Sequence, residues 1–238
     1  FAPGAYDANN VMLASWDELV NDYGLDISSD YTAITAKTSA TSMYSVLNNN
    51  QKLSATTKIV IGNSVTTIGN YAFCNCNNLV SITMPNTLTS IKNGAFQECK
   101  SLISVEIPES VTTIGNFAFQ TCVGLKSILL PDTLTSLGLA AFSGCIELIS
   151  IEIPRNITSL GMGIFNGCTG LESVVIPDSV VSIGSQAFYD CDSLTSITIP
   201  KSVTSVKDGY TFGACDSLVS IKVEDGNTVY DSRDNCNA

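Results

Sequence analysis

Phe73, Phe96, Phe119, Phe142, Phe165 and Phe188 follow one another at intervals of 23 residues. Pro85, Pro108, Pro131, Pro154, Pro177 and Pro200 keep the same interval, and so do Cys76, Cys99, Cys122, Cys145, Cys168 and Cys191. A fixed period of this length means one short structural unit stacked on copies of itself. Each unit then contacts mainly its neighbours, so the 238-residue chain reads as one continuous array rather than as separate globular cores.

Residues 102–124 carry the unit. Leu102 is followed by Val105, Glu106 and Ile107, whose alternation of apolar and polar side chains is a strand signal. Pro108 has no N–H for a ladder and stops that strand. Ser110, Val111 and Ile114 form a second β-prone run, and Gly115 is expected to turn a sharp corner. Ala118, Phe119 and Cys122 leave room for no more than one turn of helix, with Phe119 filling the middle of the coil. Eight first-strand segments align, ending at Ile61, Met84, Ile107, Leu130, Ile153, Ile176, Ile199 and Val223. Stacked about 4.8 Å apart, they make an array roughly 35–40 Å long.

A parallel stack has two raw edges, which solenoids close with atypical terminal units. Residues 1–55 are expected to be the N-terminal cap, with one or two short helices. Ser15 precedes Trp16-Asp17-Glu18 in a capping-box arrangement, Gly24 is placed to end that helix, and a second helix is expected near 41–47. At the other end, Phe188 to Phe212 is 24 residues, so the segment 206–212 holds one extra residue. The Pro position becomes Glu224, and residues 224–238 read as a tail or truncated linking element.

Hydrophobic residues make up 45% of the chain and charged residues 14%, enough apolar material for a core and no disorder signature. No apolar run reaches the roughly 18 residues of a membrane helix. The net charge of −11, with scattered basic residues, argues against nucleic acid as a partner. The absence of His removes the usual Ser-His-Asp and Cys-His triads and the commonest metal ligand.

The recurring Leu-x-x-Ile-x-Ile-Pro-x-Ser-Val-Thr-x-Ile-Gly-x-x-Ala-Phe-x-x-Cys resembles the repeats of the BspA-like leucine-rich repeat family over about residues 56–223, some seven repeats. The resemblance implies a right-handed α/β solenoid leaning to β, with a concave parallel sheet. It also implies a secreted or surface-displayed protein used in attachment, and it carries no catalytic motif. The tail, which in related chains leads into further repeats, suggests a fragment of a longer protein.

Candidate chemistry is sparse. Glu106 and Glu152 share a strand position two repeats apart, about 10 Å by strand spacing, near the upper limit for an inverting glycosidase pair. Leu129 lies between them, however, on what reads as an open surface. Cys74 and Cys76 form half a metal knuckle, far short of four convergent ligands; Cys76 belongs to the repeat column, while Cys74 is expected to be exposed and reactive. Cys236 is a second candidate for reaction. Asp225, Asp231, Asp234 and Asn235 offer oxygen ligands in a loop but match no calcium-loop spacing. Asn156-Ile157-Thr158 is a formal glycosylation acceptor at a repeat position. No catalytic, cofactor or metal residue is assigned.

The candidate partner-binding face is read from two positions of the first strand. One carries Val80, Ile103, Lys126, Ile149 and Glu172; the other carries Thr83, Glu106, Leu129, Glu152 and Val175. A solvated sheet face would be more polar, and apolar residues rimmed by Glu and Lys are how interaction surfaces look. β-Branched residues also favour strands for their own sake. Together with the extracellular setting that the family resemblance implies, the sequence suggests a monomeric, non-enzymatic module that binds a protein or glycan on this face. A spacer or stalk, with binding elsewhere in a larger surface protein, is the alternative.

Overall fold

The computed structural model describes residues 56–231 and four strands before them, Gly4–Tyr6, Met12–Ser15, Leu25–Ile27 and Ala33–Ala36. From residue 56 onward the chain is a parallel β-solenoid. Each coil contributes a first strand, such as Ser104–Glu106 or Ser127–Leu129, and a two-residue second strand, such as Thr113–Ile114 or Ser136–Leu137. Both pair in parallel one repeat apart, Ser104 with Ser127 and Thr113 with Ser136. Between paired strands the ladder continues through the residue before each Ser: the Lys126 N–H donates to the Ile103 carbonyl at 2.9 Å and the Glu172 N–H to the Ile149 carbonyl at 2.8 Å.

The segment around each Phe is a turn and not the expected helical turn. Phe117 and Thr121 both sit in the left-handed region, with φ of 60° and 58°, and interrupt any helix at either side of Phe119. The N–H groups of Phe117, Phe119 and Thr121 reach across to the Leu139, Ala141 and Ser143 carbonyls of the next coil at 2.7–2.8 Å. Bonds between coils have thus taken the donors that a helix would need. Gly115 and Gly138, placed where a corner was expected, are not in the left-handed region. They are small because the preceding coil's backbone lies where a Cβ would stand.

Apolar side chains fill the space between strands and turns. Phe73, Phe96, Phe119, Phe142, Phe165 and Phe188 are fully buried and stack near-parallel, with ring centroids 5.2–5.8 Å apart. Offset stacking of this kind adds about 0.5–1.5 kcal/mol per pair to the burial itself. Phe212 continues the column at 5.5 Å but is only half-buried, because no further Phe covers it among the described residues.

The N-terminal side departs from expectation. Ala33–Ala36 pairs in parallel with the first-coil strand Lys58–Ile61, Ile34 opposite Ile59, and Leu25–Ile27 pairs antiparallel with Ala33–Ala36. Ser15 ends the strand Met12–Ser15, paired antiparallel with Gly4–Tyr6. The described residues contain no helix, so the α contribution to the expected fold class has no support among them. The expected helices over 16–24 and 41–47 lie outside the described residues.

Candidate functional site

The first strands divide their side chains by alternation. In Ser127–Leu129 the middle residue Ile128 is buried, whereas Ser127 and Leu129 point outward. The same alternation in each coil aligns exposed side chains into columns. Leu129 and Val175 are each 63% exposed, Ile149 49% and Ile103 47%. Val80 is exposed as well, and so are Thr83, Glu106, Glu152, Lys126 and Glu172. All ten candidate residues are exposed, and in each first strand a Ser (Ser81, Ser104, Ser127, Ser150, Ser173) stands in sequence between the two candidate positions.

This face is apolar in patches and acidic around them. Lys126 lies 3.6 Å from Glu147, an exposed pair that contributes little to stability. In the column just after the Pro residues, Arg155 bonds Asp132 at 3.1 Å and Lys201 bonds Asp178 at 3.3 Å. Glu106, Glu152 and Glu172 form no ion pair among the described residues and leave the face net negative.

The other candidates are placed less favourably. Glu106 and Glu152 are both exposed, and neither lines the clefts at the C-terminal end of the array. Cys74 is buried, against the expectation of an exposed thiol: its Sγ accepts from Asn75 Nδ2 at 3.4 Å and lies 4.0 Å from Gln97 Oε1. The turn stacking that seals the Phe column covers it too. Cys236 lies outside the described residues. Asp225 and Asp231 line a cleft of about 360 Å³ with Glu224 and Tyr230, while Asp234 and Asn235 lie outside the described residues. No group of three or more acidic, Cys or His side chains converges on a metal position among the described residues. Asn156 occupies the place where Ser110, Thr133 and Ser179 donate to a carbonyl of the preceding coil, and its Nδ2 donates to the Asp132 carbonyl at 2.6 Å.

The cysteine column has a role that the sequence did not disclose. Each thiol donates to the carbonyl of the preceding coil's Phe: Cys99 to Phe73, Cys122 to Phe96 and Cys168 to Phe142 at 3.1 Å, Cys145 to Phe119 and Cys191 to Phe165 at 3.2 Å. Burial pushes the Cys76, Cys122 and Cys168 thiols up to about 12, and Cys99 and Cys145 well above their ordinary value. All the described cysteines are unbridged. A constant Cys beside a constant Phe was the available signal, but it reads equally as a small hydrophobe.

The chain matches the family model of the BspA type leucine rich repeat region over residues 48–172 and 138–234, in six copies. It is similar in structure to the leucine-rich repeat protein of T. pallidum (TpLRR), at 27% identity and a TM-score of 0.59, covering 71% of this chain and 86% of that one. A leucine-rich repeat protein from Bacteroides ovatus shares the fold at 24% identity and a TM-score of 0.55, covering 84% of this chain and 69% of that one. No curated protein matches the chain.

Proposed function

The chain belongs to the BspA-type leucine-rich repeat family, and from that premise we propose that it is a non-enzymatic binding module. In this reading it works outside the cell and recognises a host or cell-surface protein or glycan on the first-strand side, the concave side in the family resemblance. Leucine-rich repeat proteins are generally interaction scaffolds. The observation that carries the reading is the exposure of Ile103, Leu129, Ile149 and Val175 in aligned columns. The core is complete without these side chains, so leaving them in water has no structural return. Apolar side chains grouped inside an acidic rim supply desolvation at the centre of a contact and selectivity at its edge. No described helix is long and apolar enough to cross a membrane.

The test is binding of the full chain to a panel of extracellular matrix proteins and surface glycans, beside a variant with Ile103, Leu129 and Ile149 all changed to Ser. The variant is expected to melt as the parent does and to bind its partner at least about tenfold more weakly, as central contact residues do. Equal binding by parent and variant would move the contact elsewhere and favour the spacer reading, for which the regular stacking of the coils is the supporting feature.

A further inference from the structure

The turns hold two large residues where the fold asks for small ones. Tyr71, Gly94, Phe117, Ala140 and Gly163 occupy one repeat position, and all five are in the left-handed region, with φ between 49° and 61°. That conformation strains an L-residue, a bulky one most, and suits glycine. Gly94, Ala140 and Gly163 show that the coil closes without an aromatic ring at this position. The two rings also lie outside the core: Tyr71 is 37% exposed and Phe117 half-buried. The Tyr71 ring leans onto the next coil, where its Cδ1 and Cε1 fill the space that a side chain at Gly94 would take. Strain kept at a partly exposed position that smaller residues fill elsewhere points to function rather than packing.

An amide ladder runs beside these rings. The Asn93 N–H donates to Asn70 Oδ1 at 3.1 Å, and the Asn116 N–H to Asn93 Oδ1 and the Leu139 N–H to Asn116 Oδ1 at 2.9 Å. A backbone N–H can only donate, so each bond fixes which end of the side-chain amide is oxygen. The three Nδ2 groups have no bond among the described residues. Each Oδ1 has used one lone pair and keeps the other, so each Asn presents a donor and an acceptor side by side. The ladder is not required by the stacking, because Leu139 and Met162 take the same repeat position in the following coils. Gln97 Oε1 also borders the place of a Gly94 side chain, and Gln97 Nε2 donates to Gln120 Oε1 at 2.6 Å. Lys92 is the only charged residue next in sequence to the Asn and aromatic residues of this strip.

We propose that Asn70, Asn93 and Asn116, together with Tyr71 and Phe117, form a binding site for an uncharged glycan on the turns of the array, separate from the first strands. A pyranose ring has an apolar face of C–H bonds and a rim of hydroxyls. The face packs on an exposed aromatic ring, whose negative π-face attracts C–H hydrogens. Neighbouring hydroxyls, each both donor and acceptor, match the paired donor and acceptor of each Asn. The ladder bonds hold the amides in place before the sugar arrives, which lowers the cost of ordering them. Coil spacing of about 4.8 Å repeats the pair along the array, which suits a chain of sugars better than a single one. An extended peptide turns its side chains to alternate faces and has no continuous rim of hydroxyls. An anionic polymer would meet one Lys.

The experiment titrates the full chain calorimetrically with maltohexaose, cellohexaose, chitohexaose and mannohexaose, and with heparin and gelatin as anionic and polypeptide competitors. At least one neutral sugar should bind, and neither competitor should displace it. Asn93→Asp keeps an acceptor for the Asn116 N–H and removes both side-chain donors. It should melt as the parent does and weaken the sugar about tenfold, the loss of one or two hydrogen bonds. Tyr71→Gly, which places at this position the residue that Gly94 already is, should weaken the sugar at least as much. The variant with Ile103, Leu129 and Ile149 changed to Ser should bind the sugar as the parent does. Binding of none of the four sugars, displacement by heparin or gelatin, or unchanged binding by Asn93→Asp and Tyr71→Gly would overturn the proposal. Loss of the sugar in the Ser variant would overturn it too, while leaving the first-strand reading in place. Asn93→Asp decides the matter even if Tyr71→Gly folds poorly.

Discussion

The Cys145 thiol donates to the Phe119 carbonyl at 3.2 Å, and the Cys145 N–H bonds the carbonyl of its own coil's Phe142 at 3.1 Å. One residue thus ties the turn of its own coil to the turn of the coil before. The backbone of these turns already spends alternate N–H groups on the following coil, so the thiol adds a bond in the opposite direction. It does so with a group hydrophobic enough to sit beside the Phe column. Cys145→Ala is expected to lose about 1–3 kcal/mol, the usual cost of withdrawing one partner from a buried polar group. Urea titration measures it. A loss below about 0.5 kcal/mol would mean that the sulfur only fills space.

The same burial makes the array sensitive to alkali. A thiol is neutral when protonated, and Cys76, Cys122 and Cys168 rise in the folded chain from 9.0 to about 12, with Cys99 and Cys145 also well above 9.0. Between these limits the unfolded chain has lost protons that the folded chain retains, so stability falls as pH rises past the unfolded value and is fully present below it. Each thiol removes about 1.4 kcal/mol per pH unit. The three that rise to about 12 together remove about 4 kcal/mol by pH 10, a large part of the stability of many domains, and Cys99 and Cys145 act in the same direction. Urea midpoints are expected to stay level from pH 6 to 8 and to drop steeply between pH 9 and 11. Cys122→Ala should make the drop shallower by about one proton. A flat profile to pH 11 would refute the account.

Stacking in the Phe column is expected to be worth most in mid-array. Phe142 is fully buried, with its ring 5.8 Å from both Phe119 and Phe165. Phe142→Ala should cost about 3–5 kcal/mol, the range for a buried Phe. Phe212 has one aromatic neighbour and is half open, so Phe212→Ala should cost clearly less. Equal losses in denaturant titration would show that the column does not end at Phe212.

How far the fold could be read depended on how often each feature repeats. Phe, Pro and Cys recur at 23 residues, so coil length, both strands and the buried column were legible. The extra residue in segment 206–212 was too. Ala33–Ala36 carries no Pro, Phe or Cys mark, and its place beside Lys58–Ile61 is a tertiary choice that local pattern does not announce. The strand Met12–Ser15, paired with Gly4–Tyr6, is unannounced in the same way. The turns misled for another reason: Ala-Phe-x-x-Cys is compatible with a helical turn, and only the inter-coil bonds of residues such as Phe117 and Thr121 decide against it. On the candidate face, alternation accounts for the exposure of Glu106, Leu129 and Glu152, whereas Ile103 and Ile149 are exposed although they stand two residues before buried Val105 and Ile151. What occupies the face depends on a partner's chemistry, which no periodicity encodes.

Two small residues two positions apart should respond in opposite directions to added or removed methyls. Gly138 has no left-handed φ, but a Cβ there would stand 2.3 Å from the Asn116 backbone nitrogen and 2.4 Å from the Gly115 carbonyl carbon. Those atoms are backbone of the preceding coil, fixed by the bond from the Gly138 N–H to the Ile114 carbonyl at 2.9 Å. Gly138→Ala must therefore push two coils apart, and is expected to cost about 1–3 kcal/mol, as overpacking does. Ala140 is the reverse case: it has a Cβ and holds φ at 49°, a conformation that costs an L-residue about 1–2 kcal/mol. Ala140→Gly removes that strain and adds freedom to the unfolded chain worth about 0.4–1 kcal/mol. It should leave stability unchanged or raise it by about 1 kcal/mol, where Ala→Gly in a regular strand or helix would lower it. Melting of the two single variants beside the parent settles both. If Ala140→Gly destabilises as much as Gly138→Ala, the turn is held by the Ala140 side chain and not strained by it.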